Sequence, residues 1–443
     1  MKTDKYRKLL SVCPSLLDAA EKTAENENNA LAQVTAYVTA PVLFCYVNYI
    51  LDSVKKENIS RIYFLSRDGY ILKKIADIII KKRNLGIDTA YLYVSRYSLR
   101  NALYFRCETA DDFEKAGLFT GYTLKSAKNI LKRAGLDKSQ RAEVYDRINF
   151  HGDENKNMND SEYSVFCEKI KNDADLLDFI KVNSENNYRN IMKYFEQSGL
   201  FDNKKIAVAD SGWMGTVQKT LTELVKDRTS DEIIGYYFGL YRREDCNYKA
   251  FLFDVTDAYK YVPTFCNNLF ECFCSAPHGM TTGYRDIDGK IVPVLSDTNA
   301  EMAKMAEIQI DTAVKFTEYA CENEGYIPIS KMRNLSTELV KTLMYKPDKQ
   351  EAEILGAFPF SDDVTEAKIQ RLAGNCVDSI SNILLLNRII RKKKGKSIYP
   401  DKYIYWLYGS IVLTNCKPLW VYRLSVREWE RLRLLREKKK SCR

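Results

Sequence analysis

The strongest constraint in this sequence is a unit that occurs three times: a short apolar run, a polar turn, then an amphipathic stretch. Arg61-Ile62-Tyr63-Phe64-Leu65 is nearly continuous in apolar residues. Ser66-Arg67-Asp68-Gly69 follows it, and Tyr70 to Lys82 carries Ile71, Leu72, Ile75, Ile78 and Ile79 at helical spacing. Tyr91-Leu92-Tyr93-Val94 likewise ends in Ser95-Arg96. Lys205-Ile206-Ala207-Val208-Ala209 leads into Asp210-Ser211-Gly212-Trp213-Met214-Gly215-Thr216 as a loop, with Val217 to Val225 as its helix. A strand apolar on both faces is covered on both sides, and a helix returning antiparallel to it makes the sheet parallel. The expected fold class is α/β, with a Rossmann-like parallel sheet core. Ile233 to Leu240 supplies a further strand.

The rest of the chain reads as helix. Residues 1–58 form N-terminal helices, 59–106 the first part of the core, 107–200 a polar helical insertion, and 201–300 the second part of the core. Residues 301–390 are helical again, and 391–443 form a basic, aromatic-containing C-terminal segment with a break at 395–400. Hydrophobic residues at 45% and charged residues at 29% exclude a disordered or collagen-like chain. Leu31 to Leu51 carries no charge over 21 residues, long enough to cross a bilayer. Its Gln33, Thr35, Thr39 and Asn48 favour a buried helix instead, broken or restarted at Pro41.

Twelve cysteines without a secretory pattern at Met1-Lys2-Thr3-Asp4-Lys5 point to a reducing, cytoplasmic setting. With only His151 and His278 present, a pair of catalytic histidines at one site would have to use both. The net charge of +9 is unevenly placed: Arg391 to Arg443 holds 16 Lys and Arg against 4 Asp and Glu, leaving residues 1–390 slightly acidic. Nucleic acid is not expected as a partner, since no binding module accompanies this basicity. The C-terminal segment admits two readings, a solvated helix or peripheral contact with the anionic inner membrane surface.

Ligands of open α/β sheets sit at the carboxyl ends of the strands. The loops there offer Ser66, Arg67, Asp68, Gly69, Ser95, Arg96, Asp210, Ser211, Gly212, Gly215 and Thr216. Guanidinium forks and backbone donors freed by glycine suit a phosphate or phosphosugar. The alternative is an internal salt-bridge network built on Arg67, Asp68 and Arg96. A second cluster, Cys266, Glu271, Cys272, Cys274 and His278, fits no common zinc spacing and reads as structural thiols. Glu271 and His278 are its candidates for a polar pocket wall. Phe253-Asp254-Val255-Thr256 lacks the order of an aspartyl-phosphatase nucleophile, and Tyr259, Tyr261 and Pro263 read as extended chain.

The segments IYFLSRDG (Ile62 to Gly69), YVSR (Tyr93 to Arg96), ADSGWMGTVQ (Ala209 to Gln218) and SAPHG (Ser275 to Gly279) resemble a bacterial family of predicted hydrolases of the haloacid dehalogenase superfamily, associated with surface-polysaccharide biosynthesis. The resemblance runs from about Pro41 to near Trp420. It implies Ser66 as the phosphate-binding hydroxyl and Asp210 as the metal-binding acid, a ligand of Mg²⁺. With the loop residues, the catalytic candidates are Asp210, Asp68 and His278. In longer members of that family a phosphatase-like domain supplies the nucleophile from an Asp-x-Asp-type motif; no apolar strand of this sequence leads into such a motif, which leaves open whether the chain is an enzyme. The loops are also partly similar to type I phosphoribosyltransferases. That likeness gives Arg67 and Gly69 a pyrophosphate-binding role, and Asp210, Gly215 and Thr216 a role at a ribose phosphate. The expected ligand is a phosphorylated sugar or sugar nucleotide. The protein is then a phosphosugar hydrolase or transferase, or a non-catalytic scaffold for glycan enzymes.

Overall fold

A computed structural model describes residues 2–120, 125–202, 205–229, 233–241, 246–322, 325, 327–361, 369–376, 384–393 and 405–441. Strands β1 (Arg61–Leu65), β2 (Asp88–Leu92), β3 (Ile206–Trp213), β4 (Ile233–Leu240) and β5 (Tyr248–Phe253) form one parallel sheet in the order β2-β1-β3-β4-β5. Ile62, Tyr63 and Phe64 pair with Thr89, Ala90 and Tyr91 on one side and with Ala207, Val208 and Ala209 on the other. The chain therefore moves outward from β1 to β2 and then returns past β1 to β3. That reversal is the place where an open sheet parts into a ligand crevice.

Side chains alternate across this sheet and feed two cores. Ile62, Phe64, Ala207 and Ala209 face the Gly69–Arg83 helix, the N-terminal helices and the helices after Ala300. Tyr63, Leu65, Ile206 and Val208 face the helices inserted between β2 and β3, which contribute Leu131, Ile180 and Phe195, and the Thr216–Val225 helix, which contributes Leu221. Residues 1–58, the sheet and 301–360 share the first core, so these segments do not have separate interiors.

The Ala30–Lys56 helix is long and apolar enough to cross a membrane, but 89% of its apolar window is buried against protein. Pro41 does not break it. A π-turn over Thr35–Thr39 lies just upstream and spans the turn that proline cannot close with an N–H. Buried Asn48 is satisfied by donating to Phe44 O at 2.7 Å and accepting from Arg83 Nη2 at 2.6 Å.

Several elements differ from the sequence reading. β3 does not stop at Ala209 but continues to Trp213, because Asp210, Gly212 and Trp213 stay in register with Tyr237, Gly239 and Leu240 of β4. β2 begins and ends earlier than Tyr91–Val94, since residues from Asp88 onward already pair with β1. The stretch after Asp254 is not extended. Asp254 turns the chain by accepting from the Thr256 N–H at 2.7 Å, and a short helix, Ala258–Tyr261, follows. An antiparallel hairpin not anticipated above, β6 (Thr281–Ile287) and β7 (Lys290–Leu295), turns on Asp288-Gly289, both at positive φ. The expected break at 395–400 and the basic residues Lys394 and Lys396 lie outside the described residues.

Candidate functional site

A cavity of 310 Å³ opens at the carboxyl edge of β1, β2 and β3. Its wall includes Ser66, Arg67, Asp68, Ser95, Arg96, Asp210, Ser211, Gly212, Gly215, Thr216 and Glu271. These residues meet because parallel strands discharge their loops at one edge. Each loop is also fixed locally.

After β1, the Ser66 hydroxyl donates to Val94 O at 2.6 Å and accepts from the Val94 N–H at 3.1 Å, tying the ends of β1 and β2 together. That hydroxyl is occupied by the scaffold. Gly69 opens the next helix so close to the strand that a Cβ there would stand 2.7 Å from the Phe64 carbonyl carbon. It is buried and absent from the cavity wall, so its role is helix-to-strand packing rather than anion contact. After β2, Ser95 caps the Arg96–Leu103 helix by accepting from the Ser98 N–H, and its hydroxyl donates to Thr281 O at 2.6 Å. Arg96, the first residue of that helix, is exposed along the cavity wall.

At the end of β3, Gly212 lies against β4, where a Cβ would meet Gly239 O at 2.4 Å. The Ser66–Arg67 and Gly212–Trp213 peptide bonds are both cis. Gly215 takes a left-handed conformation, φ +72°, immediately before the Thr216–Val225 helix, whose N-terminal end faces the cavity through Thr216 and Val217. Trp213 is held by its indole N–H, which donates to Glu271 Oε1 at 2.7 Å.

Two carboxylates occupy the middle of this arrangement, joined by Ser211. The Ser211 hydroxyl donates to Asp68, and the Ser211 N–H donates to Asp210 Oδ1 at 2.8 Å. Burial pushes the Asp68 carboxyl above its ordinary range, against the pull of the Ser211 hydroxyl and of the Arg67 and Arg96 guanidinium groups. Asp210 is pushed well above its ordinary range, first by burial and then by the charge of Asp68, with Glu271 adding to it. Two cations and a hydroxyl favour ionised Asp68, whereas Asp210 has the Ser211 amide and only a weaker pull from Arg96. The two groups titrate together, Asp210 being raised the further of the two. Neighbouring carboxyls that differ in their hold on a proton are suited to moving protons.

His278 lies outside the wall. Its Nδ1 stands 2.9 Å from Gly279 O, which can only accept, so Nδ1 carries the proton and Nε2 accepts from the Tyr91 hydroxyl at 2.9 Å. Tyr70, Tyr91 and Tyr93 surround the ring, and burial lowers its pKa, keeping it neutral. Both nitrogens are engaged in positioning the loop that leads into β6. Cys272 and Cys274 are buried in the core, and Cys266 Sγ contacts Tyr405 O at 3.4 Å. The wall also contains residues the sequence reading did not single out: Tyr237, Tyr241, Asn267, Thr281 and Ser361. Tyr237 belongs to β4, two positions before the glycine that faces Gly212, and alternation along that strand could have indicated it. Asn267 and Ser361 come from distant segments with no local signal.

Magnesium prefers hard oxygen ligands and is commonly held by one or two carboxylates together with phosphate oxygens. Asp68 and Asp210 fit that donor set, each keeping a second carboxylate oxygen beyond the contact with Ser211. Among the described residues no group of three His, Cys, Asp or Glu gathers to hold a metal alone. Fold and cavity together define an α/β protein with a polar site at the reversal point of its sheet. Compared with known proteins, the chain matches no family model and no curated protein.

Proposed function

We propose that this cavity binds the phosphate-bearing end of a phosphorylated sugar or sugar nucleotide, and that the chain transfers or hydrolyses at that phosphosugar in building bacterial surface polysaccharide. The observation that carries the reading is the composition of the one wall. Two guanidinium groups and the start of the Thr216–Val225 helix lie beside a pair of carboxyls, Asp68 and Asp210, bridged by Ser211. Arginine and helix-terminal N–H groups recognise phosphate oxygens, and a neighbouring acid and base serve a leaving oxygen and an incoming nucleophile. Asp210, whose pKa is raised the further, would donate a proton, and Asp68 would accept one. Alternatively, with both ionised, the two carboxylates would hold Mg²⁺, which would neutralise phosphate charge. The link to surface polysaccharide rests on the motif resemblance, whose segments around Ser66, Ser95 and Asp210 border the cavity. The raised pKa of Asp210 argues against that residue as the attacking nucleophile of a phosphatase, because a protonated carboxyl attacks poorly. A phosphoribosyltransferase-like reaction is a second reading, favoured by the meeting of the Arg67 and Gly215 loops across the β1/β3 reversal.

The test is calorimetric titration with glucose 1-phosphate, UDP-glucose and 5-phosphoribosyl 1-diphosphate, with and without Mg²⁺, followed by product analysis. Arg96→Ala should weaken binding of the preferred ligand by about 1.5–3 kcal/mol, the worth of a charge-assisted hydrogen bond, and leave melting unchanged. Equal binding by the variant, or no binding of any of these compounds at millimolar concentration, would overturn the proposal. Tight binding with no turnover would favour the scaffold over the enzyme.

A further inference from the structure

The outer surface of the C-terminal helices carries features that the cavity does not explain. Of the large apolar side chains exposed among the described residues, Leu386, Ile390, Trp420, Leu424 and Leu432 belong to two C-terminal helices, Leu385–Lys393 and Leu419–Ser441. Leu386 is 69% exposed and Trp420 is 67% exposed, the highest values in that set. Both belong to helices packed on each other. The Leu385–Lys393 helix sets the Arg388 guanidinium 5.6 Å from the Trp429 ring of the Leu419–Ser441 helix. At 3.6 residues per turn, Leu424, Arg427 and Arg431 lie on the same stripe as Trp420, while buried Val426 and Trp429 lie on the opposite side. The Leu385–Lys393 helix repeats the pattern, with Leu386 and Ile390 one turn apart and exposed Lys393 at the next step.

We propose that these two stripes dock the protein on an anionic lipid bilayer. Leucine and tryptophan would enter the headgroup boundary, and the arginines and lysines would meet acidic lipid. Three observations support a bilayer over other anionic partners. The exposed residues are apolar as well as basic, which a nucleic acid would not use. Tryptophan favours the interface between water and hydrocarbon. Finally, Arg391 to Arg443 carries a net charge of +12, whereas the rest of the chain is slightly acidic, so attraction is concentrated at this one region.

The test is co-sedimentation of the full chain with vesicles of phosphatidylcholine alone or mixed with phosphatidylglycerol, at low and physiological salt. Binding to the anionic vesicles should fall as the Debye length shortens from about 30 Å at 0.01 M to about 8 Å at 0.15 M. The Arg427→Gln/Arg431→Gln chain should bind about ten- to thirtyfold more weakly. The Trp420→Glu/Leu424→Glu chain should stay in the supernatant. Both variants change exposed or half-buried positions, and circular dichroism melting like that of the parent establishes that they are folded. Their phospholigand binding at the cavity should be unchanged, which separates this proposal from the preceding one. Failure of the parent chain to sediment, equal sedimentation with neutral vesicles, or unchanged sedimentation of both folded variants would overturn it.

Discussion

Asp210 illustrates what a single residue contributes here. Its folded-state pKa lies above that of the unfolded chain, so the native protein binds this proton more tightly than the unfolded one. The sign follows from linkage. Stability is full in acid, declines as pH rises from the ordinary aspartate range through the folded value, and stays lower above it. Asp210→Asn removes the ionisation and should make the ligand-free protein more stable than the parent at neutral pH, with the gap closing near pH 3. Urea unfolding between pH 3 and pH 8 measures this, and parallel curves for the two proteins would refute the raised Asp210 pKa. At this scale the sequence was partly readable. Ser, Arg, Asp and Gly after an apolar run identify strand-end positions whatever their partners, which is why Arg67, Arg96 and Asp210 could be placed on one edge. What a hydroxyl or imidazole does there depends on neighbours far along the chain. Ser66 is occupied by Val94 and His278 by Tyr91 and Gly279, and no local pattern shows either.

Among the elements, β3 carries the site. Its continuation to Trp213 holds Asp210 and Ser211 in a hydrogen-bonded strand rather than a free loop. The continuation depends on two glycines facing each other, Gly212 and Gly239. Gly212→Ala would add a Cβ 2.4 Å from Gly239 O at φ +154°, where side chains are strained, and should cost at least ~2 kcal/mol. It should also weaken phospholigand binding by displacing Ser211, whereas Gly289→Ala, with open space around its Cβ though also at positive φ, should leave binding intact. Denaturant unfolding paired with calorimetry distinguishes the two. The extension of β3 escaped the sequence reading because polar and glycine residues resemble a loop until their ladder partners are known. The β6–β7 hairpin was missed although Asp288-Gly289 between two runs containing β-branched residues is a turn signal. β1 and β4, almost free of polar side chains, showed their bounds directly, and the Ala30–Lys56 helix showed its burial through its polar residues.

Across the whole molecule, segments far apart in the sequence are fastened together. Fully buried Glu351 accepts from Tyr6 Oη at 2.7 Å and Lys5 Nζ at 2.6 Å, joining the first helix to the Lys349–Gly356 helix. Glu351→Ala leaves the Tyr6 hydroxyl without this partner in a dry setting. It should lower stability by about 2–3 kcal/mol, reduced from the fully buried case because Lys5 reaches solvent. Guanidinium unfolding of the variant tests it, and a loss below ~0.5 kcal/mol would show the contact to be incidental. Sequence reading divided the chain into consecutive segments and could not see that segments so far apart share one interior. The sheet order has a kinetic counterpart. β1 lies between β2, its near neighbour in sequence, and β3, which is synthesised only after the whole helical insertion. During synthesis β1 and β2 can pair early, but the β1–β3 seam must wait for a long-range closure of the kind that slows folding. Until then that edge of β1 stays uncovered, an unpaired strand edge of the kind that invites association between nascent chains for as long as the ribosome takes to reach Trp213.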